Sequence, residues 1–156
     1  MSATVTLTVN GQDEVLRTEP DETLLDALRR DLRLTSVREA CGIGVCGSCT
    51  VLVDGRPVSA CLLLAVLVDG RSIETVEGLA DGETLHPIQQ AFVDHSAFQC
   101  SFCTPGFLLA TKALLEETPR PTPDEIRHYL AGNLCRCGSY RNIEEAVLDA
   151  ARRLEA

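Results

Sequence analysis

Residues 41–49 read Cys41-Gly-Ile-Gly-Val-Cys46-Gly-Ser-Cys49, three cysteines separated at every step by glycine. Gly42, Gly44 and Gly47 permit left-handed backbone and leave their amides unobstructed. Such a loop can wrap tightly around a negatively charged group and aim N–H groups at it. The run that follows, Thr50-Val-Leu-Val53, is β-branched and apolar and predicts a strand. The turn signal Asp54-Gly55 and a strand around Val58 lead back to Cys61, which brings a fourth thiol to the loop.

A second set of four lies downstream. Cys100, Cys103, Cys135 and Cys137 are spaced C-x2-C-x31-C-x-C, and the first set is spaced C-x4-C-x2-C-x11-C. The first spacing is that of plant-type ferredoxins, in which four thiolates hold a 2Fe-2S cluster. Zinc also takes four thiolates, but usually from two C-x2-C or C-x2-H pairs, so the first spacing favours iron–sulfur. For the second set, spacing alone leaves the two open. Disulfides are disfavoured, because Met1-Ser-Ala-Thr-Val carries neither a basic stretch nor an apolar signal core. The expected location is the cytoplasm.

Working outward, the segment 1–78 predicts mixed α and β structure. Val5, Leu7 and Val9 alternate with polar residues as a half-buried strand, Asn10-Gly11 marks a hairpin, and Val15-Leu16 begins the return. Asp21 is the expected N-cap of a helix carrying Leu24, Leu25, Leu28 and Leu32. Leu62 to Val68 reads as a buried strand, and Ile73 to Val76 as another after Asp69-Gly70. Several strands, one helix and a glycine-rich loop suggest a β-grasp arrangement.

The segment 79–156 reads as four helices. Ile88 and Phe92 share one face of the first, and Thr104-Pro105 caps and opens the second. Thr122-Pro123-Asp124-Glu125 is a capping box opening the third. Ile143, Ala146, Val147, Ala150 and Leu154 form the apolar stripe of the fourth. Each cysteine pair of the second set therefore precedes a helix, whose free amides favour negative charge. The fold class is α+β, with a β-grasp domain at 1–78 and a four-helix domain at 79–156.

Other readings are weaker. Gly42 to Gly47 matches G-x-G-x-x-G, but a strand follows the loop where a dinucleotide site needs a helix. His86, His95 and His128 read as surface or helix-end residues, and no catalytic triad or carboxylate pair stands out. A net charge of −9 and a pI near 4.7 argue against nucleic acid and membrane surfaces as partners. No apolar run approaches the ~20 residues of a membrane span.

Cys41 to Gly55 with Ser59-Ala-Cys-Leu62, Gln99-Cys-Ser-Phe-Cys-Thr-Pro-Gly106, and Gly132-Asn-Leu-Cys-Arg-Cys137 carry a resemblance covering nearly the whole chain. The sequence resembles the small iron–sulfur subunit of molybdenum hydroxylases, the xanthine dehydrogenase, aldehyde oxidoreductase and carbon monoxide dehydrogenase family. The resemblance implies two 2Fe-2S clusters, a plant-type ferredoxin domain and a helical domain. It implies a molybdopterin-binding large subunit, an FAD-binding medium subunit and a dimer of heterotrimers. Electrons would pass from the molybdopterin site through the cluster of Cys100, Cys103, Cys135 and Cys137. They would continue through that of Cys41, Cys46, Cys49 and Cys61 to FAD. Gln99 and Cys137 match positions that approach the pterin, and chemistry on the substrate would belong to the partner subunit. The alternatives are a free-standing two-cluster ferredoxin or redox sensor, and a zinc-stabilised interaction module.

This chain departs from the family pattern at two places. Ser101 stands where glycine is usual, and Cys137 is followed by Gly138-Ser139-Tyr140 rather than Thr-Gly-Tyr. If position 139 requires positive φ, serine costs ~1 kcal/mol there; the other possibility is that Gly138 takes the bend.

Overall fold

The computed structural model describes residues 2–155. Met1 and Ala156, the outer ends of the two predicted domains, lie outside them. The order is β1 (Ala3–Val9), β2 (Gln12–Thr18), α1 (Leu24–Arg30), β3 (Thr50–Val53), β4 (Arg56–Ser59) and β5 (Ser72–Glu74), then α2 (Pro87–Asp94), α3 (Thr104–Glu117), α4 (Pro123–Tyr129) and α5 (Tyr140–Glu155).

The strands form one mixed sheet in the order β2-β1-β5-β3-β4. β1 and β2 are a hairpin whose turn, Asn10-Gly11, has positive φ at both residues, as a tight right-twisted hairpin requires. β3 and β4 turn the same way at Asp54-Gly55. β5 pairs parallel to β1 and antiparallel to β3, closing the sheet around α1. Val5, Leu7 and Val9 point inward with Leu16, Val51 and Ile73, onto Leu24, Leu25 and Leu28 of α1. The β-grasp expectation is met.

The helical half has its own core. Ile88 and Phe92 of α2 and Phe107, Ala110 and Leu114 of α3 meet Ile143, Ala146, Val147 and Ala150 of α5. The stripe on α5 ends at Ala151, because Leu154 is exposed. A third cluster joins the halves: Leu52 of β3 packs on Leu109 and Ala113 of α3. Val51 faces one domain and Leu52 the other, so Thr50–Val53 is buried on both faces and reads as a continuous apolar run. Lys112 of α3 adds an ion pair to Glu74 of β5 at 3.0 Å.

Four local expectations are corrected. The N-cap of α1 is Thr23, which accepts from the Asp26 amide, not Asp21; the helix ends at Arg30, short of Leu32. Leu62 to Val68 is not a strand. Leu64 bridges Thr23, and Ala65–Val68 is a 3-10 turn that buries Ala65 and Val68 and exposes Leu67. The strand expected to reach Val76 ends at Glu74, and Val76–Gly78 forms another 3-10 turn. The capping position of α3 is Cys103; Thr104 is already helical and makes no capping bond.

Candidate metal centres

The first loop has the conformation its glycines predict. Gly42, Gly44 and Gly47 have φ of 64°, 74° and 70°. The bends direct the Ile43, Val45 and Cys46 amides at the Cys41 sulfur, and the Ile43 amide does most to lower that thiol to about 6. Burial acts the other way on Cys49, pushing it up to about 11. The Cys41 and Cys46 sulfurs are in hydrogen-bonding contact, as are those of Cys49 and Cys61. No helix follows the loop, so the G-x-G-x-x-G match is coincidental.

The second set also gathers in twos, Cys100 with Cys137 and Cys103 with Cys135. Cys100 and Cys137 are exposed. Burial pushes the Cys103 thiol up to about 12, while the Phe102 amide lowers Cys100. At Cys135 burial also raises the thiol, but donors at Ser139, the Cys103 thiol and the Cys137 amide together bring it below its ordinary value. The Ser139 amide donates to the Cys135 sulfur at 3.4 Å. The Cys135 amide donates to the Tyr140 hydroxyl at 2.9 Å.

The two departures resolve differently. Ser101 is itself left-handed, with φ of 61°, so a serine stands in a conformation suited to glycine. Its carbonyl accepts from the Arg38 guanidinium, which also lies 5.3 Å from the centre of the Phe102 ring. Gly138, at φ 81°, takes the other bend, and Ser139 is not left-handed.

The two sets share a seam. The Leu134 amide donates to the Cys46 carbonyl at 2.9 Å, and the Asn133 side chain donates to the Gly47 carbonyl at 3.1 Å. A cavity of about 300 Å³ is lined by Cys46 from the first set and Cys100, Cys103 and Cys135 from the second. Gln99 and Cys137 are brought together on the surface, where the Gln99 side chain donates to the Cys137 carbonyl at 3.4 Å.

These residues suit the expected groups. Each set offers two thiol pairs, as a two-iron rhomb takes two thiolates per iron, with backbone donors aimed at sulfur. Among the described residues, no three His, Cys, Asp or Glu side chains converge as one ion would require. His86 caps α2 and His95 ends it. Arg38, Asn133, Tyr140 and Gly106 carry contacts that the sequence reading missed. Only Gly106 left a signal, since a glycine inside a helix costs ~1 kcal/mol and calls for a packing reason. Among the described residues no helix is long and apolar enough to cross a membrane.

Comparison with known proteins agrees with this geometry. Residues 7–80 match the 2Fe-2S iron-sulfur cluster binding domain and residues 75–148 the [2Fe-2S] binding domain. The nicotine 6-hydroxylase small subunit of Paenarthrobacter nicotinovorans is 51% identical, over 91% of this chain and 86% of its own. The nicotinate dehydrogenase small FeS subunit of Eubacterium barkeri is 46% identical, over 96% of each. A chain of quinoline 2-oxidoreductase from Pseudomonas putida 86 superposes with a TM-score of 0.94 at 47% identity, covering 99% of both.

Proposed function

The chain belongs to the family of small iron–sulfur subunits of molybdenum hydroxylases, and on that premise we propose that it carries electrons from a molybdopterin-binding large subunit to an FAD-binding medium subunit. In this reading the pairs Cys41 with Cys46 and Cys49 with Cys61 would hold the first cluster. Cys100 with Cys137, and Cys103 with Cys135, would hold the second. When bound, each cluster supplies a one-electron couple.

The protein's own part is to position and shelter. The Ile43, Val45 and Cys46 amides, with the Phe102 and Ser139 amides at the second set, stabilise negative charge on sulfur. The observation that carries the proposal is the hydrogen bond from Leu134, the neighbour of Cys135, to the carbonyl of Cys46. One ligand of each set is thereby joined through backbone and a single hydrogen bond, while Cys100 and Cys137 stay open to a partner.

Gln99 and Cys137 then face the pterin, and the large subunit covers them. The Cys41 loop, with Ile43 and Val45 exposed beside it, faces the flavin subunit. The complex is a dimer of heterotrimers in the cytoplasm, and the domains divide after Gly78.

The test is EPR of the dithionite-reduced complex with iron quantitation. Two distinct 2Fe-2S signals and about four irons per chain, two per cluster, are expected. Bound zinc with no signal would overturn the reading.

A further inference from the structure

Ser139 is 5% exposed, and its hydroxyl makes no formed hydrogen bond. Its backbone is fixed from both sides. The carbonyl accepts the Ile143 amide at 3.0 Å, opening α5, and the amide donates to the Cys135 sulfur at 3.4 Å. A serine opening a helix ordinarily spends its hydroxyl accepting an amide of the first turn. Here that role is not taken. The Cys135 sulfur, already bonded by the Ser139 amide, lies within reach of that hydroxyl, whose donation lowers the thiol. Among the described residues two other buried hydroxyls lack formed bonds, Thr104 and Thr111, both on α3. A helical threonine can turn to its own backbone carbonyls, so these two need no further partner.

We propose, building on the cluster reading above, that Ser139 is a positioning residue acting through Cys135: its hydroxyl donates to the Cys135 sulfur once that sulfur is an iron-bound thiolate, and this raises the reduction potential of the second cluster. A thiolate accepts such a donor more strongly than a neutral thiol does, because a hydrogen bond to a charged acceptor is the stronger kind. One-electron reduction adds negative charge to the cluster and its sulfurs. A hydrogen bond to sulfur therefore stabilises the reduced form more than the oxidised. Gly138, left-handed at φ 81°, turns the chain so that the Ser139 amide meets the Cys135 sulfur. Glycine at 139, as in the family pattern, would keep the amide bond and lose the hydroxyl. The change to serine thus sets the driving force into or out of this site without touching a ligand.

The experiment is an EPR-monitored redox titration of the assembled complex, following both cluster signals in wild type, Ser139→Ala, Ser139→Gly and Ser139→Thr. In the Ala and Gly variants the second cluster's reduced-to-oxidised ratio, read at the wild-type midpoint, should fall at least threefold; tenfold corresponds to ~59 mV for one electron. The first cluster should not move, and Thr should restore the wild-type value. ENDOR in deuterated buffer should show one exchangeable coupling at the second cluster in wild type that Ser139→Gly lacks. Should Ser139→Ala fail to load, Ser139→Gly supplies the comparison. An unshifted midpoint with an intact second signal overturns the proposal and leaves the electron-transfer reading standing. Absence of a second signal from wild type overturns both.

Discussion

Gly106, in the first turn of α3, faces the backbone of Gly47 so closely that a Cβ on it would lie 2.1 Å from the Gly47 carbonyl oxygen. No rotamer change relieves a clash with backbone. The two domains meet here, and the cysteine loop of the first is pressed against the helix that follows Cys103. Gly106→Ala should destabilise the protein by ~1–3 kcal/mol, the usual cost of overpacking. Thermal unfolding of the iron-loaded protein checks this. An unchanged midpoint would mean that the loop and helix separate easily.

Arg38 reaches across the same seam. It donates to the carbonyl of left-handed Ser101 and stacks on Phe102, and its own amide donates to the Ser48 carbonyl at 3.3 Å. Arg38→Ala should cost ~1–2 kcal/mol, combining one hydrogen bond with a cation–π contact. Lysine should recover only part of this, lacking the planar fork. Urea unfolding midpoints of the three proteins give the order. Lysine equal to arginine would show that charge alone matters.

His86 predicts a pH dependence. Its Nδ1 accepts from the Ile88 amide at 3.2 Å, which only an unprotonated nitrogen can do. Burial first, then the Lys112 charge, lowers its pKa. The unfolded chain therefore binds the proton more readily, and stability from this cap rises with pH. It should be fully present above about pH 6.5, the unfolded value, and be lost as pH falls through the lower folded value. His86→Asn keeps a capping oxygen and should flatten this part of the stability profile, with ~0.5–2 kcal/mol at stake. A slope that persists in the variant would assign it to another group.

Glu77 adds a second, more acidic slope. Burial raises its carboxyl, but donors from Ser36 and Thr75 outweigh that and hold it below its usual range. The folded pKa is depressed, so this stability is present above the unfolded value, about 4.3, and is lost as pH falls below it. Asp31, Asp54, Asp94, Glu125 and Asp149 are held low too, so Glu77→Gln should lessen the slope below pH 5 without abolishing it and leave that of His86 in place, as urea unfolding across pH would show.

Much of this was legible because each set of ligands is local. Cys41, Cys46 and Cys49 lie in one loop, and Gly42, Gly44 and Gly47 announce its left-handed turns. The strands flanking it alternate or run apolar as their burial demands. What failed was the segment between elements. Leu62 to Val68 is apolar throughout, so periodicity cannot separate a strand from a turn; only Ala65 and Val68, three residues apart, are buried there, as a 3-10 turn places them. Asp21 and Thr23 are both good caps, and the choice falls on Thr23 because Leu24 and Leu25 must face the sheet. Arg38 and Asn133 were silent, since contacts made 63 and 86 residues away leave no local pattern.

Iron removal tests the seam itself. Asn133 and Leu134 hold the first loop by its Gly47 and Cys46 carbonyls, and their own segment is anchored by Cys135 and Cys137. Without metal, both ends of this contact lose their tether, because ligation supplies folding energy as well as chemistry. The Leu134 amide, protected in the loaded protein by its bond to Cys46, should exchange with solvent at least tenfold faster after chelation. Amides of the β1–β2 hairpin, whose pairing involves no cysteine, should change little. Hydrogen exchange resolved at single amides reads both. Equal protection of Leu134 with and without iron would show that the domains dock on Leu52, Leu109 and Ala113 alone.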